Sequence, residues 1–240
     1  MSIKSEQCPR LRGLSRRSPT LWDVGGFTLL ELLVVLGLVA ALSVVLLGGL
    51  AGGGKSVALQ SGQTLVANLI TAARTRAVAT GNQTRVLVHH DLDSPLANER
   101  YLRHLALEEL RAGSWMTLQA TALPAGVYIL PHQNRTPAGL LPGDTAWTKV
   151  DGTRLHSSCM FRAPIQQVVD GTTAENWVEI AFTAQGTTAT SGQLVLAAGR
   201  LLPPGSGGAS PVVLENQESV RGLSISGYGL AVLINERSGF

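Results

Sequence analysis

The sequence is poor in cysteine, in charged residues and in aromatic residues. Only Cys8 and Cys159 are present among its 240 residues, which excludes a disulfide-rich scaffold and a zinc site built from cysteines. Charged residues make up 15% of the chain and apolar residues 45%, so the chain can bury enough surface to fold rather than stay disordered. A chain of this length forms one or two domains with cores of their own and needs no cross-links for stability.

Signatures of the common catalytic sites are also missing. The sequence has no G-x-S-x-G motif, and the run Ser157-Ser158-Cys159 has no identifiable base beside it. Cys159 is therefore interpreted as a small buried side chain rather than a nucleophile. Composition and motifs together predict a protein that is not an enzyme, with no catalytic residue, no cofactor and no bound metal.

The positive charge of the chain is confined to its amino-terminal end. The net charge is +3, and residues 1–26 hold five basic and two acidic side chains, so the chain after them is neutral. An apolar run follows at residues 27–51, and its one charged residue is Glu31. At about 1.5 Å per residue, a helix of this length crosses a hydrocarbon core of roughly 30 Å. Because basic flanks stay cytoplasmic, residues 1–26 are predicted as a cytoplasmic basic leader and residues 27–51 as a transmembrane helix.

A secretory signal peptide is the alternative interpretation of this amino terminus. The apolar core of a signal peptide spans only ~7–15 residues, and a carboxylate near its start is unusual. A charged residue costs about 2.5–3.5 kcal/mol at the centre of a membrane span and less near its boundary, so Glu31 needs a specific reason to be there. The long run and its carboxylate therefore favour a membrane anchor.

The residues at this boundary resemble the cleavage and methylation motif of type IV prepilins and type II secretion pseudopilins. The string GGFTLLELLVV begins at Gly25 and opens the apolar run. In that family a membrane peptidase cuts after the glycine, which implies cleavage after Gly26 and N-methylation of the new amino terminus at Phe27. Glu31 then stands at the family's acidic position, which implies a role in subunit assembly.

A physical reason exists for the spacing of these two groups. The new ammonium of Phe27 and the carboxylate of Glu31 lie four residues apart and share one helix face. In a packed filament each of them can find an opposite charge on a neighbouring subunit, which offsets the cost of burying either charge alone.

The segment after the apolar run predicts a joint and a second helical stretch. Five glycines lie between positions 48 and 54, and they weaken a helix by about 5 kcal/mol in total relative to alanine. Residues 52–81 are therefore predicted as a glycine joint followed by an amphipathic helix, which ends at Gly81-Asn82. The apolar face of that helix consists of Leu59, Val66, Leu69, Ile70, Ala73 and Ala77.

Residues 82–240 predict an exported β-rich globular domain. Short β-prone runs alternate with turn residues and no crossover helix follows, so the sheet is predicted to be mainly antiparallel. The fold class is α+β: a long N-terminal helix, transmembrane and then amphipathic, packed on this sheet as in pilins. A long irregular insertion at about 131–176 interrupts the strands. Strands are predicted at residues 83–90, 100–108, 115–121, 126–130, 177–183, 193–199, 211–214, 222–226 and 229–234.

The exported part resembles minor pseudopilins of the GspH/FimT type. The matching residues include Ala73-Arg74 on the helix, Gly81-Asn82 before the first strand, and the later run Ile180-x-Phe182-x-x-x-Gly186. The resemblance implies a minor pilin or pseudopilin that assembles into or primes a type II secretion pseudopilus or a type IV pilus.

The same resemblance implies the partners and the location of the chain. The implied partners are prepilin peptidase, other pilin or pseudopilin subunits, the inner membrane and the inner-membrane assembly platform. The implied topology is a single pass through the inner membrane, with the amino terminus in the cytoplasm and the C-terminal domain in the periplasm. After assembly, the chain would be associated with the filament.

DNA binding and hydrolysis are the alternative functions for the exported part. Some relatives of the FimT type bind DNA, which implies an exported binding protein on a pilin-like anchor, for example in DNA uptake. A membrane-anchored hydrolase is the other alternative, although no acid and base pair is evident in the sequence. Because the chain after residue 26 is neutral, attraction to phosphates would require a local patch. That patch would consist of Arg74, Arg76, Arg85, Arg100 and Arg103.

Two short motifs resemble ligand-binding sites, but neither is interpreted as one. Residues 49–56 fit the phosphate-loop pattern, but that loop requires a preceding strand in a βαβ unit, and here a membrane-length run precedes it. Residues 89–93 carry imidazole and carboxylate groups, which are natural metal ligands, but neighbouring residues of a strand such as His89 and His90 face opposite ways. The possible third ligands are His104, His132 and His156.

Overall fold

The structure is a computed structural model that describes residues 28–171, 173–203 and 209–240, and for residues 44–53 it describes the backbone alone. The chain divides into two units, Met1–Leu47 and Gly48–Phe240, which we describe one at a time. Helix α1 (Leu29–Thr80) contributes residues to both units.

The second unit consists of the later part of α1 followed by short strands. The nine strands predicted from the sequence each overlap an observed strand, and β5 is the strand that the prediction missed. The second predicted strand begins later than expected because Arg100 ends the short helix α2 (Ala97–Arg100) and a turn follows at residues 101–103. The described strands are β1 (Thr84–His89), β2 (His104–Arg111), β3 (Ser114–Ala122), β4 (Val127–Leu130), β5 (Ile165–Gln167), β6 (Glu175–Phe182), β7 (Gly192–Leu201), β8 (Val212–Leu214), β9 (Val220–Ile225) and β10 (Ala231–Ile234).

The described strands form two antiparallel sheets, where the sequence suggested one. Sheet A has the order β3-β2-β1-β6-β5, and sheet B has the order β10-β9-β7-β4 with β8 also paired to β7. The chain leaves sheet A after β3 because it turns at Pro124 and Gly126, where Gly126 has a φ of +78°. The predicted α+β class, with a helix on mainly antiparallel strands, is confirmed.

The later part of α1 packs on both sheets through the face that the sequence predicted. All six residues of that face are buried, and their cluster includes Val86 and Ile180 of sheet A and Leu196 of sheet B. The helix ends where expected: Gly81 has a φ of +67° and its N–H donates to the Ala77 carbonyl at 2.9 Å.

A buried polar side chain ties α1 to sheet B. The amide nitrogen of Gln63 donates to the carbonyl oxygens of Gly222 at 2.8 Å and of Ile234 at 2.9 Å. Gln63 is 2% exposed, so these bonds satisfy a group that would otherwise be costly to bury. Gly222 itself lies in close packing, since a Cβ there would overlap the carbonyl oxygen of Leu194 and the ring of Phe240.

The insertion at 131–176 is folded over its described residues, and several of its side chains belong to a core. Its side chains Leu140, Trp147 and Leu155 are buried in one cluster with Tyr128 and Val195, on the side of sheet B that α1 does not cover. Along β7, residues 194, 196 and 198 pack with α1 and residues 195 and 197 pack with the insertion, as the alternation of a strand requires. The insertion therefore covers the face of sheet B that lies opposite α1.

Candidate functional site

The amino-terminal turn of α1 is closed by a reciprocal cap between Thr28 and Glu31. The Oε2 of Glu31 accepts hydrogen bonds from the backbone N–H and the hydroxyl of Thr28, both at 3.0 Å. The backbone N–H of Glu31 donates to the Thr28 hydroxyl at 3.2 Å. This is the capping box of the pattern T-x-x-E, which supplies partners to amide groups that have none within the helix. The prepilin resemblance implied only an assembly role for Glu31. The T-x-x-E pattern in the sequence also indicates the cap that Thr28 forms with it.

The helix that follows this cap is apolar on every side. All residues from 28 to 43 are exposed, and they include ten Leu and Val side chains with exposed fractions from 51% at Val35 to 84% at Leu29. Burial of each such side chain is worth about 1.5–3 kcal/mol, so this surface strongly favours being covered by lipid or by other helices. Exposed apolar surface of this extent marks an interaction site.

The other predictions for this region concern residues that are described only in part. Gly26 and Phe27 lie outside the described residues, and so does the rest of the predicted leader. Among the described residues, no helix has both the length and the apolar character needed to cross a membrane. Because the side chains of residues 44–51 are also outside the description, the span at 27–51, the glycine joint and the cleavage site stay predictions.

No protein-family model and no curated protein matches this sequence. The solved structures that are similar to it include those of a minor pilin and a minor pseudopilin. The type IV minor pilin FimU of Pseudomonas aeruginosa is 15% identical, with 73% of this chain and 87% of that chain covered and a TM-score of 0.36. Two structures of the minor pseudopilin EpsH from the type II secretion system of Vibrio cholerae are 15–16% identical, with 74–75% of this chain and 94% of that chain covered and TM-scores of 0.35–0.36. Likeness at this level does not assign the chain to a family.

The two neighbouring histidines at the end of β1 face opposite ways, as the strand geometry predicted. The His89 ring contacts Trp177 with ring centres 5.0 Å apart, whereas the His90 ring contacts Tyr101 at 5.5 Å. Of the possible third ligands, His104 also contacts Trp177, while His132 and His156 contact each other elsewhere. The described residues contain no group of three or more His, Cys, Asp or Glu side chains that could hold a metal ion.

His89 and His104 instead belong to a partly buried cluster with two carboxylates and one guanidinium. Arg100 binds the carboxylates of Glu175 at 3.0 Å and of Asp170 at 2.9 Å. His89 Nε2 lies 3.6 Å from Glu175 Oε1, and His104 Nε2 lies 3.4 Å from Asp170 Oδ2. Neither Nε2 atom makes a hydrogen bond to a described residue. Burial lowers the pKa of both histidines, so the neutral form is favoured in the folded chain.

We expect the free energy of unfolding to fall as the pH drops below about 6.5. Burial lowers the pKa of His89, His90 and His104 from the ordinary value of 6.5, so below that pH the unfolded chain binds more protons than the folded chain. Each histidine then removes up to about 1.4 kcal/mol per pH unit until the pH reaches its folded-state pKa. Denaturant titrations of the full chain in detergent, at a series of pH values between about 7 and about 5.5, measure the slope.

Two variants make this test specific to the cluster. His89→Gln should reduce the slope of the free energy of unfolding against pH by the contribution of one histidine. Val150→Gln, at a position that is 70% exposed and distant in sequence from the three histidines, should leave the slope unchanged. A free energy of unfolding that stayed constant between about pH 7 and about pH 5.5 would contradict the prediction.

The arginines of the hypothetical DNA patch are engaged within the protein and do not form a free basic surface. Arg85 pairs with Glu108 and Glu179, Arg76 pairs with Glu109, and Arg100 belongs to the histidine cluster. The two remaining guanidinium groups donate to backbone carbonyls, Arg74 to that of Tyr228 and Arg103 to that of Leu123. This geometry does not support nucleic-acid binding through that patch.

Cys159 and Lys55 are both held by contacts within the protein. Cys159 is fully buried in the main core, which confirms its interpretation as a core residue, and burial raises the pKa of its thiol to about 12, so the reactive thiolate form is disfavoured. Lys55 of the phosphate-loop pattern lies within α1 and pairs with Glu215 at 2.6 Å. The backbone there is helical, so it does not form the loop that a phosphate requires.

Proposed function

We propose that this chain is a minor pilin or pseudopilin subunit that assembles into, or primes, a type II secretion pseudopilus or a type IV pilus. The observation that carries the proposal is the capped helix start at Thr28–Glu31, followed by a helix that is apolar on every side. The apolar surface of such a helix has to be shielded from water. The membrane would shield it before assembly, and the helices of neighbouring subunits would shield it in the filament. The folded domain of Gly48–Phe240 would then be displayed on the periplasmic side.

The charged groups at the proposed mature amino terminus are suited to the assembly of subunits into a filament. Cleavage after Gly26 would place a new ammonium at Phe27, next to the Thr28 cap. Glu31 uses its Oε2 for the cap, and a carboxylate has enough acceptor sites to bind a charged neighbour as well. In a filament, Glu31 would pair with the methylated amine of an adjacent subunit.

Mass spectrometry of the mature amino terminus tests the proposal. Full-length chain produced together with a prepilin peptidase should begin at N-methyl-Phe27, and the variant Gly26→Val should stay uncut because the glycine of the motif is lost. Val24→Ala, outside the glycine pair, serves as the matched control and should be cut like the parent. A mature chain that began near Ala51 would instead identify an ordinary secreted protein.

A further inference from the structure

Strand β3 is the longest edge strand of the described sheets, and it carries neither charged residues nor proline. It has nine residues and pairs only with β2, whereas the other edge strands β4, β5 and β10 have three or four residues. Natural edge strands are commonly guarded by charged residues or proline, since their unpaired N–H and C=O groups attract other strands. Residues 112–122 contain neither. Met116 and Leu118 of β3 are 47% and 38% exposed.

A groove without charged residues lies beside this edge. Its volume is about 790 Å³, and it is lined by eight α1 residues between Val57 and Ala72 together with Gln119 and Thr121 of β3. The α1 segment 56–73 contains no charged residue, although part of it is exposed to solvent. An exposed helix face normally carries charges, and their depletion is typical of the centre of an interface.

The free edge of β3 and the adjoining groove together leave room for one additional strand. A strand added to β3 would lie about 4.8 Å from it and would continue sheet A across the exposed face of α1. Alternate side chains of that strand would point into the groove. Because the groove offers no opposite charge, a charged side chain placed there would be desolvated without a partner.

We propose that β3 and the adjoining groove bind an extended, uncharged segment of another polypeptide, which adds to sheet A as a sixth strand. Main-chain hydrogen bonds to β3 supply the affinity, and small or aliphatic side chains directed at α1 supply the selectivity. The register shift beside Leu118 divides β3 into two stretches, and the stretch 119–122 borders the groove, so side chains of the added strand meet α1 there. This site does not depend on the amino-terminal processing that the proposed function requires.

A synthetic peptide provides the probe. The fluorescein-labelled nonapeptide SWMTLQATA, which copies β3, is an uncharged strand former and should bind the full chain in detergent micelles, as measured by fluorescence anisotropy. The same peptide with every backbone nitrogen methylated cannot form a strand ladder and should bind at least tenfold more weakly. Equal binding of the two peptides would overturn the proposal, and so would the absence of binding by the unmethylated peptide.

Variants of the chain test whether the peptide binds at the edge of β3 and in the groove. Thr121→Lys on the edge and Thr64→Trp in the groove should each weaken binding at least tenfold, with unchanged circular dichroism. Val150→Lys is the matched control, because Val150 is 70% exposed and lies in the insertion, and it should change binding less than twofold. Equal weakening by Val150→Lys would overturn the site. Sedimentation that showed a dimer of the full chain, lost in Thr121→Lys, would assign the edge to a second copy and overturn the proposed partner.

Discussion

A chain that carries Glu31→Ala should enter the membrane like the parent chain and yet be at least tenfold depleted from the filament. The substitution removes the carboxylate that we propose to pair with the amine of Phe27 on a neighbouring subunit. That amine would then be buried without a partner, which is strongly unfavourable in a packed filament. Membrane insertion should not suffer, because the loss of a charge makes the apolar helix easier to insert.

Two companion variants separate the charge of Glu31 from its role in the cap. Glu31→Gln keeps an acceptor for the Thr28 N–H and hydroxyl, since glutamine also serves in capping boxes, but it loses the charge and should fail to assemble. Thr28→Val loses the two hydroxyl bonds of the cap, worth about 0.5–2 kcal/mol, but it keeps the charge and should assemble. The measurements are the share of the chain in the sheared filament fraction and its resistance to carbonate extraction from membranes. Parent-like incorporation of Glu31→Ala would refute the proposed pairing.

Arg85→Met should lower the free energy of unfolding by about 3–5 kcal/mol. Arg85 is almost fully buried on the outer face of sheet A, where its guanidinium lies 2.7 Å from Glu108 and 3.4 Å from Glu179. The Glu108 carboxylate is itself completely buried, so removal of the arginine leaves a buried negative charge without its partner. The guanidinium also lies over the ring of Trp115 at 3.9 Å, and that contact adds to the loss.

The matched variants test the cause of this loss. The double variant Arg85→Met with Glu108→Leu should recover a large part of the stability, because replacing both members of a buried pair by apolar residues is often close to neutral. Glu179 keeps Arg162 as a partner at 2.8 Å in both variants. Arg154→Met, at an exposed position, should change stability by less than about 0.5 kcal/mol. Guanidinium titrations of the full chain in detergent give these values. An equal loss in the single and the double variant would show that packing, and not the unpaired charge, is responsible.

The parts of the fold that follow from local patterns were predictable from the sequence. The buried face of α1 follows from helical spacing, and its end follows from Gly81, whose positive φ suits glycine. The strands follow from short β-prone runs between turn residues. The orientation of His89 and His90 to opposite faces of β1 follows from the two-residue period of a strand.

The parts that depend on contacts between distant segments were not predictable. Arg85 belonged to a hypothetical surface patch in the sequence analysis, yet Glu108 and Glu179 reach it from two different strands. The insertion at 131–176 has no periodic pattern, and its role as a cover depends on the apolar side chains that it meets on sheet B. The free edge of β3 depends on the order of strands within a sheet, which one sequence does not determine.

The strand order of sheet A also limits when the domain can fold. Strand β1 lies at the centre of the sheet, between β2 and β6, and its first residue, Thr84, pairs with Phe182. Since a ribosome makes the chain from its amino end, β1 must wait for nearly a hundred further residues, including the whole insertion, before its second neighbour exists. During that interval β1 has an unpaired, apolar edge of the kind that chaperones bind. The central position of β1 in sheet A is therefore completed only after β6 has been made.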